Sequence, residues 1–171
     1  MACTATASPI IARWAALVPA GTAVLDVAAG SGRHTRLFLQ RGNLVTAVDR
    51  DVAALRAIAD DRLEVVEADL ETAAWPLAGR AFGGVVVSNY LWRPLLPAIV
   101  ASVAPGGALL YETFAAGHER FGQPKNPDFL LRPGELLDAV RGRLEVREYA
   151  HGEEGQPPSA VRQRVCAVRL D

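Results

Sequence analysis

Cysteine is nearly absent: 171 residues hold two, Cys3 and Cys166, with no CxxC pair and no Cys/His cluster. That excludes a disulfide framework and a zinc site built on closely spaced thiols. Lysine is scarcer still, with Lys125 alone among 18 basic residues. A surplus of one charge is also missing. Eighteen Lys+Arg stand against nineteen Asp+Glu, a formal net charge of −1, which argues against a nucleic-acid partner held through phosphates. The three histidines are scattered, so no metal site is expected. The apolar stretch after Met1 has no basic leader and is broken by Arg13 and Pro19. Neither a signal peptide nor a membrane span is expected from it, and a cytoplasmic location is.

What the chain does have is apolar mass. Half its residues are hydrophobic and 22% are charged, at a length of roughly one domain. A chain near this size buries about 68–70% of its unfolded surface, and its composition excludes disorder as the main state.

Three early apolar runs each lead to an acid: Ala23–Leu25 to Asp26, Leu44–Val48 to Asp49, and Leu63–Ala68 to Asp69. Rich in β-branched residues and bounded by turn-forming ones, they predict strands. Between them, 33–41 and 51–59 carry apolar residues at helical spacing, with Asp51 available as an N-cap. The pattern continues with strands at 83–88 and 108–112 around a helix at 91–104, in which Pro97 predicts a kink or a delayed start. Pro9–Leu17 offers one short N-terminal helix, and 133–140 begins another with Pro133 in its first turn. Residues 144–149 and 161–170 alternate apolar and polar, predicting an antiparallel hairpin about a loop at 150–160. Continuous apolar strands separated by helices imply a doubly wound α/β sheet in a single domain, 1–171.

The segment Asp26-Val27-Ala28-Ala29-Gly30-Ser31-Gly32-Arg33-His34 follows a strand and opens a helix. Open α/β sheets bind ligands at that position. A dinucleotide fingerprint needs a third small residue, but Thr35 and Arg33 occupy the two registers where it would fall. Asp26 is placed to accept a hydrogen bond from a ligand cation. Asp49 is placed to accept from ribose hydroxyls, and Asp69 from an exocyclic amine. Three acids at successive strand tips suit a cationic, adenosine-containing ligand without phosphates. The plainer alternative is that each acid caps the loop or helix after it.

VLDVAAGSGRH, TAVDRD, VEADLE and VVVSNYLWR resemble, in order and spacing, the cofactor motifs of class I S-adenosylmethionine-dependent methyltransferases over about residues 20–170. Ala28 stands where that family often has its first glycine. The resemblance implies a Rossmann-like seven-stranded sheet in order 3-2-1-4-5-7-6 with strand 7 antiparallel. It also implies S-adenosyl-L-methionine as cofactor. Asp26, Ala28, Gly30 and Gly32 would hold the methionine end, Asp49 and Arg50 the ribose side, Asp69 and Leu70 the adenine. Ser88 and Asn89 would line the cleft. Residues 1–20 then form a helical cap, 21–112 the cofactor-binding half, 113–132 a substrate loop, and 133–171 the last helix and hairpin. GSGRH, Glu112-Thr113-Phe114 and the stretch from Phe121 to Leu136 resemble more narrowly the small bacterial methyltransferases related to the tellurite-resistance protein TehB.

No proline pair follows the fourth strand and no cysteine lies near it, so the adenine- and cytosine-modifying subclasses are not expected. A small-molecule acceptor is, with the protein a monomer or homodimer. The alternatives are a non-catalytic S-adenosylmethionine-binding module and a nicotinamide-dependent oxidoreductase. Tyr90, Glu112 and His118 are the catalytic candidates. Arg93 and Arg132 are candidate anion partners. Arg33, His34 and Arg36 oppose the dipole of the helix they open, so each is expected to have another partner, a carboxylate being the first candidate.

Overall fold

The computed structural model describes residues 6–171; Cys3 lies outside them. The chain begins with α1 (Pro9–Trp14), capped by the Ser8 hydroxyl, and a 3₁₀ turn, Ala15–Leu17. Then follow β1 (Ala23–Val27), α2 (Arg33–Gln40), β2 (Leu44–Asp49), α3 (Ala53–Arg56), β3 (Leu63–Glu67) and β4 (Phe82–Ser88). A 3₁₀ turn at Arg93–Leu95 runs into α4 (Leu96–Ala101), and β5 (Val103–Phe114) comes next. After α5 (Glu135–Val140), the hairpin of β6 (Glu145–Glu154) and β7 (Ala160–Val168) closes the fold.

The strands form one seven-stranded sheet in order 3-2-1-4-5-7-6, with β7 antiparallel to both its neighbours. This is the sheet that the resemblance implies. β1 and β4 lie in the middle and are buried on both faces, which their unbroken apolar runs require. One face packs Leu25, Val85 and Leu109 beneath α4 and α5. The other packs Val24, Val86, Leu110 and Cys166 against α1 and α2. The Gly83-Gly84 pair inside β4 leaves room for two close neighbours. A Cβ on Gly84 would meet Val18 at 2.9 Å, and one on Gly83 would meet Thr22 Oγ1 at 2.2 Å.

Several predicted boundaries move. Pro94 and Pro97 delay the helix predicted at 91–104, so a 3₁₀ turn precedes α4. β5 begins at Val103, ahead of the predicted 108, and takes in 104–107 as an irregularity, the pairing jumping from Phe82 with Val103 to Gly84 with Ala108. The second crossover keeps only the four residues of α3. β3 stops two residues short of Asp69, and Pro133 stands outside α5, whose N-cap is Gly134. The hairpin loop shrinks to 155–159 because β6 runs on to Glu154.

The segment 113–132, expected to be a substrate loop, is not irregular throughout. β5 runs through Phe114, 3₁₀ turns occupy His118–Arg120 and Pro127–Phe129, and Ala115 bridges Leu131. Its backbone is paired as well. Leu131 donates to the Phe114 carbonyl, Ala116 to that of Leu131, and Ala115 to that of Val161.

Candidate functional site

Beyond β1 the chain turns across the carboxyl end of the sheet with positive φ at Ala28 (52°), Gly30 (56°) and Gly32 (78°). The glycines take this conformation without strain; Ala28 takes it as an exception. A side chain at Gly32 would also stand 2.9 Å from the end of the Leu55 side chain and 3.0 Å from that of Ile58, so both would have to shift. Asp49, at the tip of β2, holds the turn in place. One of its carboxylate oxygens accepts from Gly30 N–H at 2.8 Å and the other from Asp51 N–H at 2.9 Å.

Asp49 faces a cavity of about 170 Å³, with Ala28, Arg50, Asp69, Leu70 and Tyr90 around it. Ala68 and Glu71 complete the wall. Sequence reasoning missed both, although they flank the Asp69-Leu70 pair it did select. Asp69 serves both readings at once. It lines the cavity and caps its own turn, accepting from Glu71 N–H at 3.0 Å, and that bond with those from Thr72 lowers its pKa. The cavity is smaller than the ~300–1,000 Å³ of a complete ligand site, so it suits one moiety of a larger ligand.

Asp26, Gly30, Gly32, Ser88 and Asn89 lie outside that lining. Asp26 sits beneath the turn, 2% exposed, accepting from Thr35 Oγ1 at 2.7 Å. Burial pushes its carboxyl up to about 6. Ser88 links two sides of the cleft: its hydroxyl accepts from Arg33 at 2.9 Å and donates to Glu112 Oε1 at 3.2 Å. Asn89 has φ 56° and its side-chain carbonyl accepts from Arg162 at 2.6 Å.

The three catalytic candidates separate. Tyr90 lines the cavity with its hydroxyl buried and unpartnered among the described residues. Burial, reinforced by Glu71, Asp69 and Asp49, raises its pKa, so it stays protonated and is a donor, not a base. His118 is structural. It is buried, stacked on Phe114 at 4.1 Å, with Nδ1 accepting from Val161 N–H at 3.3 Å and Nε2 donating to the Gln123 carbonyl at 2.9 Å. Neither nitrogen is left for a substrate. Glu112 is buried at the carboxyl end of the sheet, bonded to Ser88.

Among the cations, Arg33 and Arg36 each have the other partner expected of them, though it is no Asp or Glu side chain. Arg33 bonds Ser88, and Arg36 bonds the Ser31 carbonyl at 2.6 Å, so neither has a carboxylate as its hydrogen-bond partner. His34 is no cation at neutral pH. Burial and Arg33 lower its pKa to about 4, and its Nε2 accepts from Ser8 N–H at 3.1 Å, docking α1 onto α2. Arg93 is an anchor, forked onto Glu135 at 2.6 and 3.0 Å and bonded to the carbonyls of Asp128 and Leu130. Arg132 points outward, its N–H donating to Glu135 at 2.8 Å.

Residues 24–107 match the family model described as a methyltransferase domain. Over 108 residues the chain is 34% identical to malonyl-[acyl-carrier protein] O-methyltransferase of Serratia marcescens, covering 57% of this chain and 40% of that protein. TehB from Haemophilus influenzae shares the fold with a TM-score of 0.73 at 19% identity, over 99% of this chain and 64% of that one. The 1,6-didemethyltoxoflavin-N1-methyltransferase of Burkholderia thailandensis, solved with 1,6-didemethyltoxoflavin and S-adenosylhomocysteine, gives 0.72 at 20% identity, over 99% and 80%. The chain thus spans less than half the length of the curated relative. No helix among the described residues is long and apolar enough to cross a membrane.

Proposed function

We propose that this chain, carrying a methyltransferase domain over residues 24–107, transfers a methyl group from S-adenosyl-L-methionine to a small-molecule acceptor. The observation that carries the reading is the meeting of Asp49, Ala28 and the unpartnered Tyr90 hydroxyl at one cavity beyond β1 and β2. Asp49 has lone pairs to spare after its two backbone bonds, so it accepts from both ribose hydroxyls. Leu70 and Asp69 border the adenine, and Arg50 closes the outer side. Gly30 and Gly32 leave room for the methionine end above Asp26, whose buried carboxylate faces the ligand's positive charge. Ser88 and Asn89 edge the acceptor side.

The bound donor supplies a sulfonium-activated methyl group. The protein's part is to hold donor and acceptor in line and exclude water; alignment alone can supply roughly 7–11 kcal/mol in favourable cases. The near-neutral charge supports a small acceptor over a nucleic acid. The protein works in the cytoplasm as a monomer or homodimer.

Calorimetry with S-adenosylhomocysteine tests the donor site. Asp49→Ala, which removes charge-assisted hydrogen bonds, is expected to weaken binding by about 10–100-fold. Absence of binding to the unaltered protein, or an unchanged affinity in Asp49→Ala, would overturn the reading.

A further inference from the structure

A second cavity, of about 200 Å³, shares Tyr90 and Glu71 with the first and opens toward the end of β5. Its walls are Tyr90, Leu91, Thr113, Phe114, Pro124 and Phe129, with Glu71 and Asn89 beside them, and three of the eight are aromatic. Its floor is held rigidly. Asn89 N–H donates to the Glu112 carbonyl at 3.0 Å, and the Tyr90 carbonyl accepts from the Tyr111 hydroxyl at 2.8 Å. The neighbouring guanidiniums are already engaged. Arg162 lies over Phe114 at 4.1 Å, bonded to Asn89 and paired with Glu154 at 3.3 Å. Arg93 is committed to Glu135 and two carbonyls. The charged side chain in the lining itself is a carboxylate, Glu71.

Resting on the methyltransferase reading, we infer that this cavity is the acceptor subsite and takes an uncharged, planar nitrogen heteroaromatic in preference to an anion. An anionic acceptor would lose its hydration there and meet a carboxylate, Glu71, as the charged group of the lining, whereas a flat ring packs against Phe129 and the edge of Phe114, whose faces His118 and Arg162 cover. The acceptor supplies a ring-nitrogen lone pair. The nitrogen–carbon bond forms as the carbon–sulfur bond breaks, its electron pair staying on sulfur. The product's positive charge is either shed as a ring N–H proton to water or balanced by Glu71. Tyr90, protonated, fixes orientation by donating a hydrogen bond and accepts no proton.

Calorimetry on the S-adenosylhomocysteine-saturated protein, with isoquinoline and 2-naphthoate as fused-bicyclic probes, tests this. Isoquinoline is expected to bind about tenfold more tightly, the unpaired carboxylate carrying the desolvation penalty. Phe129→Ala, on an exposed turn, is expected to weaken isoquinoline about fivefold through the lost ring contact, leaving S-adenosylhomocysteine affinity within about twofold. Equal or tighter 2-naphthoate binding, no binding of isoquinoline, or no effect of Phe129→Ala would overturn the inference while intact S-adenosylhomocysteine binding left the donor reading standing. Failure of S-adenosylhomocysteine itself to bind would overturn both.

Discussion

Asp26 is held where its charge is unwelcome. Its pKa rises from 3.8 to about 6, chiefly by burial, with Thr35 only partly offsetting that. Between those values the folded chain binds a proton that the unfolded chain has released, so this residue's contribution to stability falls as pH rises from about 4 to 6. A rise of that size amounts to about 3 kcal/mol of stability lost by neutral pH. His34 acts in the opposite sense. Its pKa falls from 6.5 to about 4, so the unfolded chain gains a proton first and stability falls as pH drops through that window. Asp26→Asn isolates one member of the pair and keeps an acceptor for Thr35. Urea unfolding should show the variant near the wild type at pH 4 and more stable by about 1–3 kcal/mol at pH 7.5. The same substitution is expected to weaken S-adenosylhomocysteine roughly tenfold, as a charge opposite the donor's amino group is lost. A pH-independent stability difference would contradict the charged-burial account. Unchanged ligand affinity would remove Asp26 from the donor site.

Among the elements, the segment from 113 to 135 shows where local pattern is a poor guide. Its Gly, Pro and charged residues have no period, yet it is fixed by non-local partners. Arg93 enters it from beyond β4, His118 accepts from Val161 on β7, and buried Gln163 bonds both Leu136 N–H and the Arg132 carbonyl. None of these pairings is visible in a window of neighbouring residues. The same reason hid the roles of His34 and Arg93, whose partners are 26 and 42 residues away. The strands carrying Asp26 and Asp49 and the one before the Asp69 turn were legible because their apolar runs are local. Arg93→Ala tests the clamp directly. It leaves Glu135 and the carbonyls of Asp128 and Leu130 without their donor, and is expected to lower stability by about 2 kcal/mol. Hydrogen exchange should accelerate from 124 to 134 while the β1–β2 turn stays protected. Uniform acceleration across the chain would mean that the clamp has no local role.

For the molecule as a whole, the strand order and the antiparallel last strand followed from the family resemblance that short motifs carry, and the acids proposed for the donor site were singled out by their places after apolar runs. The proposed acceptor side was not legible in this way, since the walls of that cavity come from segments after β4 and β5 and from the turns beyond them, each ordinary in isolation. The candidate donor site also joins distant parts of the chain: the turn after β1, the tips of β2 and β3, and Tyr90 after β4. A ligand bound there stabilises all of them together, by about 2.7 kcal/mol at a hundredfold excess over Kd. For a domain of this length that corresponds to a rise in Tm of about 5–10 °C. S-adenosylhomocysteine should produce it, and Asp49→Ala at the same concentration should reduce it to less than about half, following the weaker Kd. NAD should leave Tm unchanged, because the turn lacks the third small residue that a dinucleotide site needs and the cavity presents Asp49, Asp69 and Glu71 to any pyrophosphate. An NAD shift matching that of S-adenosylhomocysteine would reverse the assignment to a nicotinamide-dependent oxidoreductase. Shifts from neither ligand would remove nucleoside recognition from this end of the sheet.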